Sequence, residues 1–411
     1  MQPSATRMLR FRNRRILPAL FASPAVLVLA LTHANAQRIW VDHYQSALQA
    51  QATSVLFLLV PAVAALVAWE VGRLNNADVL TLPAVRSQTE RLVRAMTAPL
   101  ILVMTSLASA VILLAGLAPP QWRIILPAIA TLVAAALLGA AAGVTLPKAL
   151  GAPISLAVGY LFMVLPQALT PFWLRHLNGM FMGCCLTSQS LNPRASVASM
   201  LTALGVGVAG AIVASRRVTR VEIVVSILIA TIGISSAALI VRHLGPDPVV
   251  ARKTDLICDS LDGVQFCLWP ENRKSLDLVA RTGSAIVSAW IAAGLHPPML
   301  YSEATNSTRS TFSIRSSATS ENVAHAMVAA TLPPVPLCAA SYPYPGGADR
   351  DQLQAWLLMT SRFVPTPAIG SRVEQRVMKV LREPRSQQVS WLLARLQASQ
   401  TCDALPRKIA T

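Results

Sequence analysis

Charge is what this sequence has least of. Only 13% of its 411 residues are Asp, Glu, Lys or Arg, against roughly 25% in an average soluble domain. Acidic residues are scarcer still in the first 242 positions, which hold only Asp42, Glu70, Asp78, Glu90 and Glu222; the other 13 of the 18 come later. With 54% hydrophobic residues and a mean hydropathy of +0.52, the first part reads as a membrane segment and the rest as a polar tail.

Other absences exclude functions. No G-x-x-x-x-G-K-[ST] occurs, so the chain has no P-loop with which to bind and hydrolyse ATP. Glu321 and His325 sit four apart in SENVAHAM, but the first histidine of H-E-x-x-H is missing, and the six histidines are scattered. No acid or histidine falls in the middle of an apolar run, where a proton pathway would need one. Gly205, Gly207 and Gly210 fit G-x-G-x-x-G, but inside an apolar run with no strand before them. They read as small residues that let helices approach. These absences point away from an enzyme, a cofactor or a metal site.

The net charge of +17 is of the size nucleic-acid binders carry. Its distribution argues otherwise. Eighteen of the 35 basic residues lie in the first 242 positions, and the tail sets 17 against 13 acids. No basic run is interleaved with aromatics, so no nucleic acid is expected as a partner.

Seven apolar runs approach the 20 or so residues that span a bilayer: about 16–33, 54–72, 98–118, 124–145, 152–171, 196–214 and 223–241. In lipid they must be helices, because every backbone polar group needs an internal partner. With the N-terminus in the cytoplasm, the inner segments hold 13 basic residues: five between Arg7 and Arg15, then Arg73, Arg86, Arg91, Arg94, Lys148, Arg216, Arg217 and Arg220. The outer segments hold five: Arg38, Arg123, Arg175, Arg194 and Arg242. Basic residues accumulate on the cytoplasmic side, so the tail is expected outside the cell membrane. RMLRFRNRR followed by an apolar run and Ala34-Asn35-Ala36 also fits a cleavable signal; a retained first span is the favoured reading, and cleavage would leave the tail on the same side.

The tail after residue 242 is expected to fold as a small α+β domain. Helices are expected from about Ser275 to Ala293, over 320–331, 349–361 and 386–399, and after a Ser371/Glu374 capping box; a strand is expected near 311–315. The stretch CDSLDGVQFCLWPEN carries the sharpest local signal. Asp262-Gly263 is a two-residue hairpin turn, and counting outward from it pairs Cys258 with Cys267. In a non-hydrogen-bonded pair their Cα atoms lie about 4.5 Å apart, within disulfide range, and an external site permits oxidation. Cys338 and Cys402 are then left to pair with each other. The partners of Cys184 and Cys185 stay open.

VPAVAALVAWEVGR, the inner loop LTLPAVRSQTERLVRA, the tail's CDSLDGVQFCLWPEN and AAGLHPP, and the closing VLREPRSQQVSWLLARLQASQTC together resemble the permease-like membrane proteins of actinobacteria that accompany ABC-transporter ATPases. The resemblance implies an export permease subunit, a dimer or heterodimer, served by a separate cytoplasmic P-loop ATPase. It also implies that residues 70–94 form the coupling region, with Glu70, Arg73, Arg86, Glu90, Arg91 and Arg94 as its charged positions. Six spans without a large external domain are usual among such permeases, and this chain departs from that. The expected organisation is an α-helical polytopic membrane domain over 1–242 and an extracytoplasmic α+β domain over 243–411. The alternative is a membrane-anchored binding or sensing protein whose tail is the active part.

Overall fold

The computed structural model describes residues 17–37, 44–76, 88–215, 219–253, 255–304, 312–314, 318–336, 344, 346–363 and 372–400. Its contacts divide the chain into two compact units, Met1–Arg252 and Lys253–Thr411.

The first unit is helical. Helix α1 runs Leu17–Gln37; α2, Gln45–Ala52, passes through a 3-10 turn at Thr53–Val55 into α3, Leu56–Asn76. There follow α4 Gln88–Ala115, α5 Trp122–Thr145, α6 Lys148–Ala168, α7 Pro193–Ser215 and α8 Arg220–Val241. Among the described residues, six helical segments are long and apolar enough to cross a membrane: Gln45–Asn75, Thr89–Ala115, Trp122–Thr145, Ala149–Ala168, Pro193–Ser215 and Arg220–Val241. The first expected span is helical, but its described apolar stretch is the shorter Pro24–Ala36. Ala34 lies inside this helix and is fully buried.

The second half of the inner loop LTLPAVRSQTERLVRA is helical from Gln88 onward. It forms the opening turns of the 28-residue α4, because nothing in QTERLVRAMTAPL stops a helix; Pro99 is accommodated within it.

Close backbone approach holds this unit together. In lipid, helix association rests on packing rather than on escape from water, so small residues mark the contacts. Helix α3 packs on α5 and α6, and α7 on α5 and α8. A Cβ added at Gly139 would collide with the Ala64 carbonyl oxygen, and one at Gly233 would lie 2.9 Å from Gly205 Cα. One at Gly210 would meet Leu137 at 2.9 Å. The G-x-G-x-x-G pattern is therefore the contact face of α7. Helices α3 and α5 are well buried, whereas α6 and α8 expose most of their surface.

The segments between helices gather at two ends. At one, Gln49 donates to the Pro119 carbonyl and accepts from Gln121 N–H. Thr53 accepts from Phe181 N–H at 2.9 Å. Buried His176, on the 3-10 turn Phe172–Leu177, bonds the Gly245 carbonyl at 2.9 Å. Strands β1 Gln189–Leu191 and β2 Val249–Ala251 pair antiparallel there. That pairing explains why the first unit extends to Arg252 rather than stopping after the last apolar helix. At the opposite end, Asn75 donates to the Val144 carbonyl.

The second unit carries a three-stranded sheet: β3 Ile257–Leu261, β4 Val264–Leu268 and β5 Leu300–Ser302, in the order β3-β4-β5. Strands β3 and β4 are antiparallel, and β5 joins β4 in parallel. Helices α9 Leu276–Ala292, α10 Ser320–Thr331, α11 Gly347–Ser361, α12 Arg372–Leu381 and α13 Arg385–Ser399 supply the rest. The core joins Phe266, Trp290, Tyr301, Phe312, Trp356 and their aliphatic neighbours. Tyr301 stacks on Phe266 at 5.6 Å and meets Phe312 edge-on.

Two local expectations need correction or relocation. Residues 312–314 form no strand; their backbone is bound by side chains instead, as described below. The expected capping box at Ser371 lies outside the described residues. A reciprocal cap stands at α10, where Thr319 and Asn322 bond each other's backbone N–H. Another opens α8 through Thr219 and Glu222, where the acid also suits the helix dipole.

Candidate functional site

The charged residues expected around the connector between α3 and α4 fall on two helix ends. Glu70 and Arg73 lie in the last turns of α3, with Arg73 Nη1 3.4 Å from Glu70 Oε1 and both side chains largely shielded. Glu90, Arg91 and Arg94 lie in the first turns of α4; Arg94 reaches Glu90 at 2.6 Å on an open surface. Arg86 lies outside the described residues. An exposed i,i+4 pair of this kind is worth about 0.3–0.5 kcal/mol, so this surface is not built for stability.

The cysteine stretch takes the expected register. Leu261 pairs with Val264, and Cys258 with Cys267. Asp262 and Gly263 have φ of 51° and 80°, the two positive values of a type I′ turn. The cysteines are disulfide-bonded with Cα atoms 4.1 Å apart, slightly closer than the 4.5 Å expected. The Asp262 carboxylate also accepts a hydrogen bond from Ser284 on α9, which ties the turn to the helix. Cys184 and Cys185 pair with each other; Cys338 and Cys402 lie outside the described residues.

Beyond the clip, the WPEN segment meets a carboxylate that sequence reasoning did not single out. Glu303, just past β5, is 2% exposed. Its oxygens accept from Trp269 N–H at 2.7 Å, from Ile314 N–H at 2.9 Å and from the Asn272 amide at 2.9 Å. Asn272 also donates to the Ile314 carbonyl. One side chain thus binds the chain after β4 to the chain around Ile314, and does for residues 312–314 what a strand would have done. Each of these partners is a donor, which suits the ionised form. Burial nonetheless pushes the carboxyl up from its ordinary value of 4.5, against the pull of those donors. Nothing in YSEATNST marks Glu303 as special by type or spacing. Glu321 and His325, by contrast, are both exposed on α10, and no group of three potential metal ligands occurs among the described residues.

The first unit contains a cavity of about 440 Å³ between α3, α5, α6, α7 and α8. Its walls are apolar apart from four hydroxyls, Thr131, Thr145, Ser155 and Thr202, and carry no charged residue.

Residues 266–402 match the family described as Domain of unknown function (DUF7224). The match lies wholly within the second unit and begins at Phe266 on β4, leaving the Cys258 half of the clip outside it. No curated protein and no solved structure matches the chain.

Proposed function

We propose that the chain is the membrane permease subunit of an ABC-type export system, powered by a separate cytoplasmic ATPase and carrying its second unit outside the cell. The observation that carries this reading is the pairing of apolar helices nearly free of charge with a charged helix-to-helix connector. The connector joins α3 to α4, is flanked by Glu70, Arg73, Glu90, Arg91 and Arg94, and lies on the side where 13 of 18 basic residues collect. The sequence has no P-loop, so energy has to come from a partner. The segments assigned to the outer side also share one end of the helical unit, as alternating spans require. With the first apolar helix counted as a seventh span, the N-terminus is cytoplasmic and the second unit extracytoplasmic. A dimer or heterodimer would offer one connector to each nucleotide-binding subunit.

Purification of the full chain in detergent from its own host should recover a P-loop ATPase. Replacing Glu90, Arg91 and Arg94 together by alanine should release that ATPase while the helical unit stays folded. Recovery of no ATPase from the unaltered protein would overturn the reading.

The second reading, a membrane-anchored binding or sensing protein, is favoured by one finding: the family match falls on the second unit alone. Ligand capture that survives loss of any ATPase partner would support it over export.

A further inference from the structure

The membrane cavity has a chemical character of its own. Helix α3 wedges against both α5 and α6, with Gly139 and Gly159 admitting its backbone. No substantial contact joins α6 to α7, and the cavity is the space left between them. Leu138, Val158, Phe162 and Ile234 are wall residues that are also exposed at the unit's surface, so the space opens sideways, where hydrocarbon surrounds a spanning helix.

A hydroxyl in a spanning helix ordinarily donates to the carbonyl four residues back, which spares it an unpaired state in an apolar medium. Two of the four wall hydroxyls do so: Thr131 to Pro127 and Thr145 to Ala141, each at 2.9 Å. The other two do not. Thr202 is 2% exposed, and its hydroxyl, shut off from the cavity space, has no partner among the described residues. Ser155 is 8% exposed and makes no hydrogen bond among the described residues. They sit on α7 and α6, the two helices that the cavity separates. Ser226 on α8 also lacks a partner but is not part of the wall. An unpaired hydroxyl facing an apolar space is costly; of the two only Ser155 keeps accessible surface on its hydroxyl, and a guest with one neutral hydrogen-bonding group would relieve it.

We infer that this cavity is a binding site for a single-chain, largely hydrocarbon molecule bearing one neutral polar group, such as an alcohol, ester or ketone, held by Ser155. The volume is of ligand size but admits one chain rather than a two-chain lipid. The absence of any cation or anion from the walls disfavours a charged headgroup. The site stands apart from the export reading: a chain that binds without transporting would still fill it.

The test uses the full chain in nanodiscs and a diazirine-bearing hexadecanol as photoprobe, with labelled peptides mapped by mass spectrometry. Labelling is expected on peptides from 148–168 and 193–215. Unlabelled hexadecanol should compete on the order of tenfold better than hexadecane, the scale of one or two hydrogen bonds, and better than palmitate. The variant Ser155→Ala should erase the preference for the alcohol while hexadecane competes as before. Val158→Trp, at the exposed rim where the fold tolerates bulk, should reduce labelling several-fold. Labelling spread along the exposed face of α8, equal competition by hexadecane or palmitate, or a Ser155→Ala variant that keeps the preference would each overturn the assignment.

Discussion

The two units solve the problem of cohesion with different side chains. The second gathers bulk: Trp290, Trp356, Tyr301, Phe266 and Phe312 are among the largest fully buried side chains of the protein. The first buries mainly alanine, valine and leucine and places glycine at the closest approaches among α3, α5, α6, α7 and α8. A domain in water gains by removing apolar area from solvent, so large aromatic residues serve it well. Between helices in lipid that gain vanishes, and contact depends on how close two backbones can come. The difference teaches that hydrophobic content alone does not tell which residues hold a unit together.

The comparison can be broken most forcefully at Trp290, which is fully buried and donates to the Leu357 carbonyl at 3.1 Å. Trp290→Ala should cost the second unit about 3–5 kcal/mol, read as a fall of roughly 10 °C in its melting transition, with the helical unit's transition unmoved. Movement of both transitions together would mean that the units do not stand independently. Loss of the clip should cost less. In Cys258→Ala/Cys267→Ala a loss of about 2 kcal/mol is expected in denaturant unfolding of the second unit. An unchanged midpoint would show that the Asp262-Gly263 turn alone holds the register.

The converse experiment adds one carbon to the first unit. Gly233→Ala places a methyl 2.9 Å from Gly205 Cα and from the Leu201 carbonyl oxygen, and should cost about 1–2 kcal/mol by overpacking. Gly245→Ala, where nothing lies within 4 Å, should cost nothing. Similar melting in detergent for both variants would remove the claim that close approach matters. The smallest effect is pH dependence in the second unit. The Glu303 carboxyl is held above its ordinary value of 4.5, so the folded state keeps a proton that the unfolded chain gives up. Stability is therefore full below 4.5 and declines as pH rises through the raised value. Glu303→Gln should flatten that decline in stability measured against pH; a slope unchanged by the substitution would assign it elsewhere.

Much of the fold is legible in the sequence because the signals are local. Apolar runs of about 20 residues, the Asp-Gly turn with its pair count, and the helix expected from about Ser275 to Ala293 each depend on neighbours within a few positions. What escaped depends on distant partners. Strand β5 is three residues long and exists because β4 lies beside it. Glu303 looks like any surface acid until Trp269, Asn272 and Ile314 converge on it. The cavity wall residues Ser155 and Thr202 are 47 positions apart in the chain, and only helix packing brings them to one wall. That α4 runs unbroken from Gln88 through its apolar span escaped for another reason: charged residues such as Glu90 and Arg94 end an apolar run but do not end a helix.

Strand β2 has a mechanical consequence. The chain leaving α8 does not run straight on to the second unit; it is first stitched to β1 by a three-residue ladder, by Asn192 N–H on the Pro248 carbonyl and by Arg252 N–H on the Ser188 carbonyl. Strand β1 leads directly into α7. A tug on residue 253 is thus delivered to the first turn of α7 as well as to the end of α8, and the ladder acts as a strain relief whose rupture would lengthen the leash without unfolding a helix.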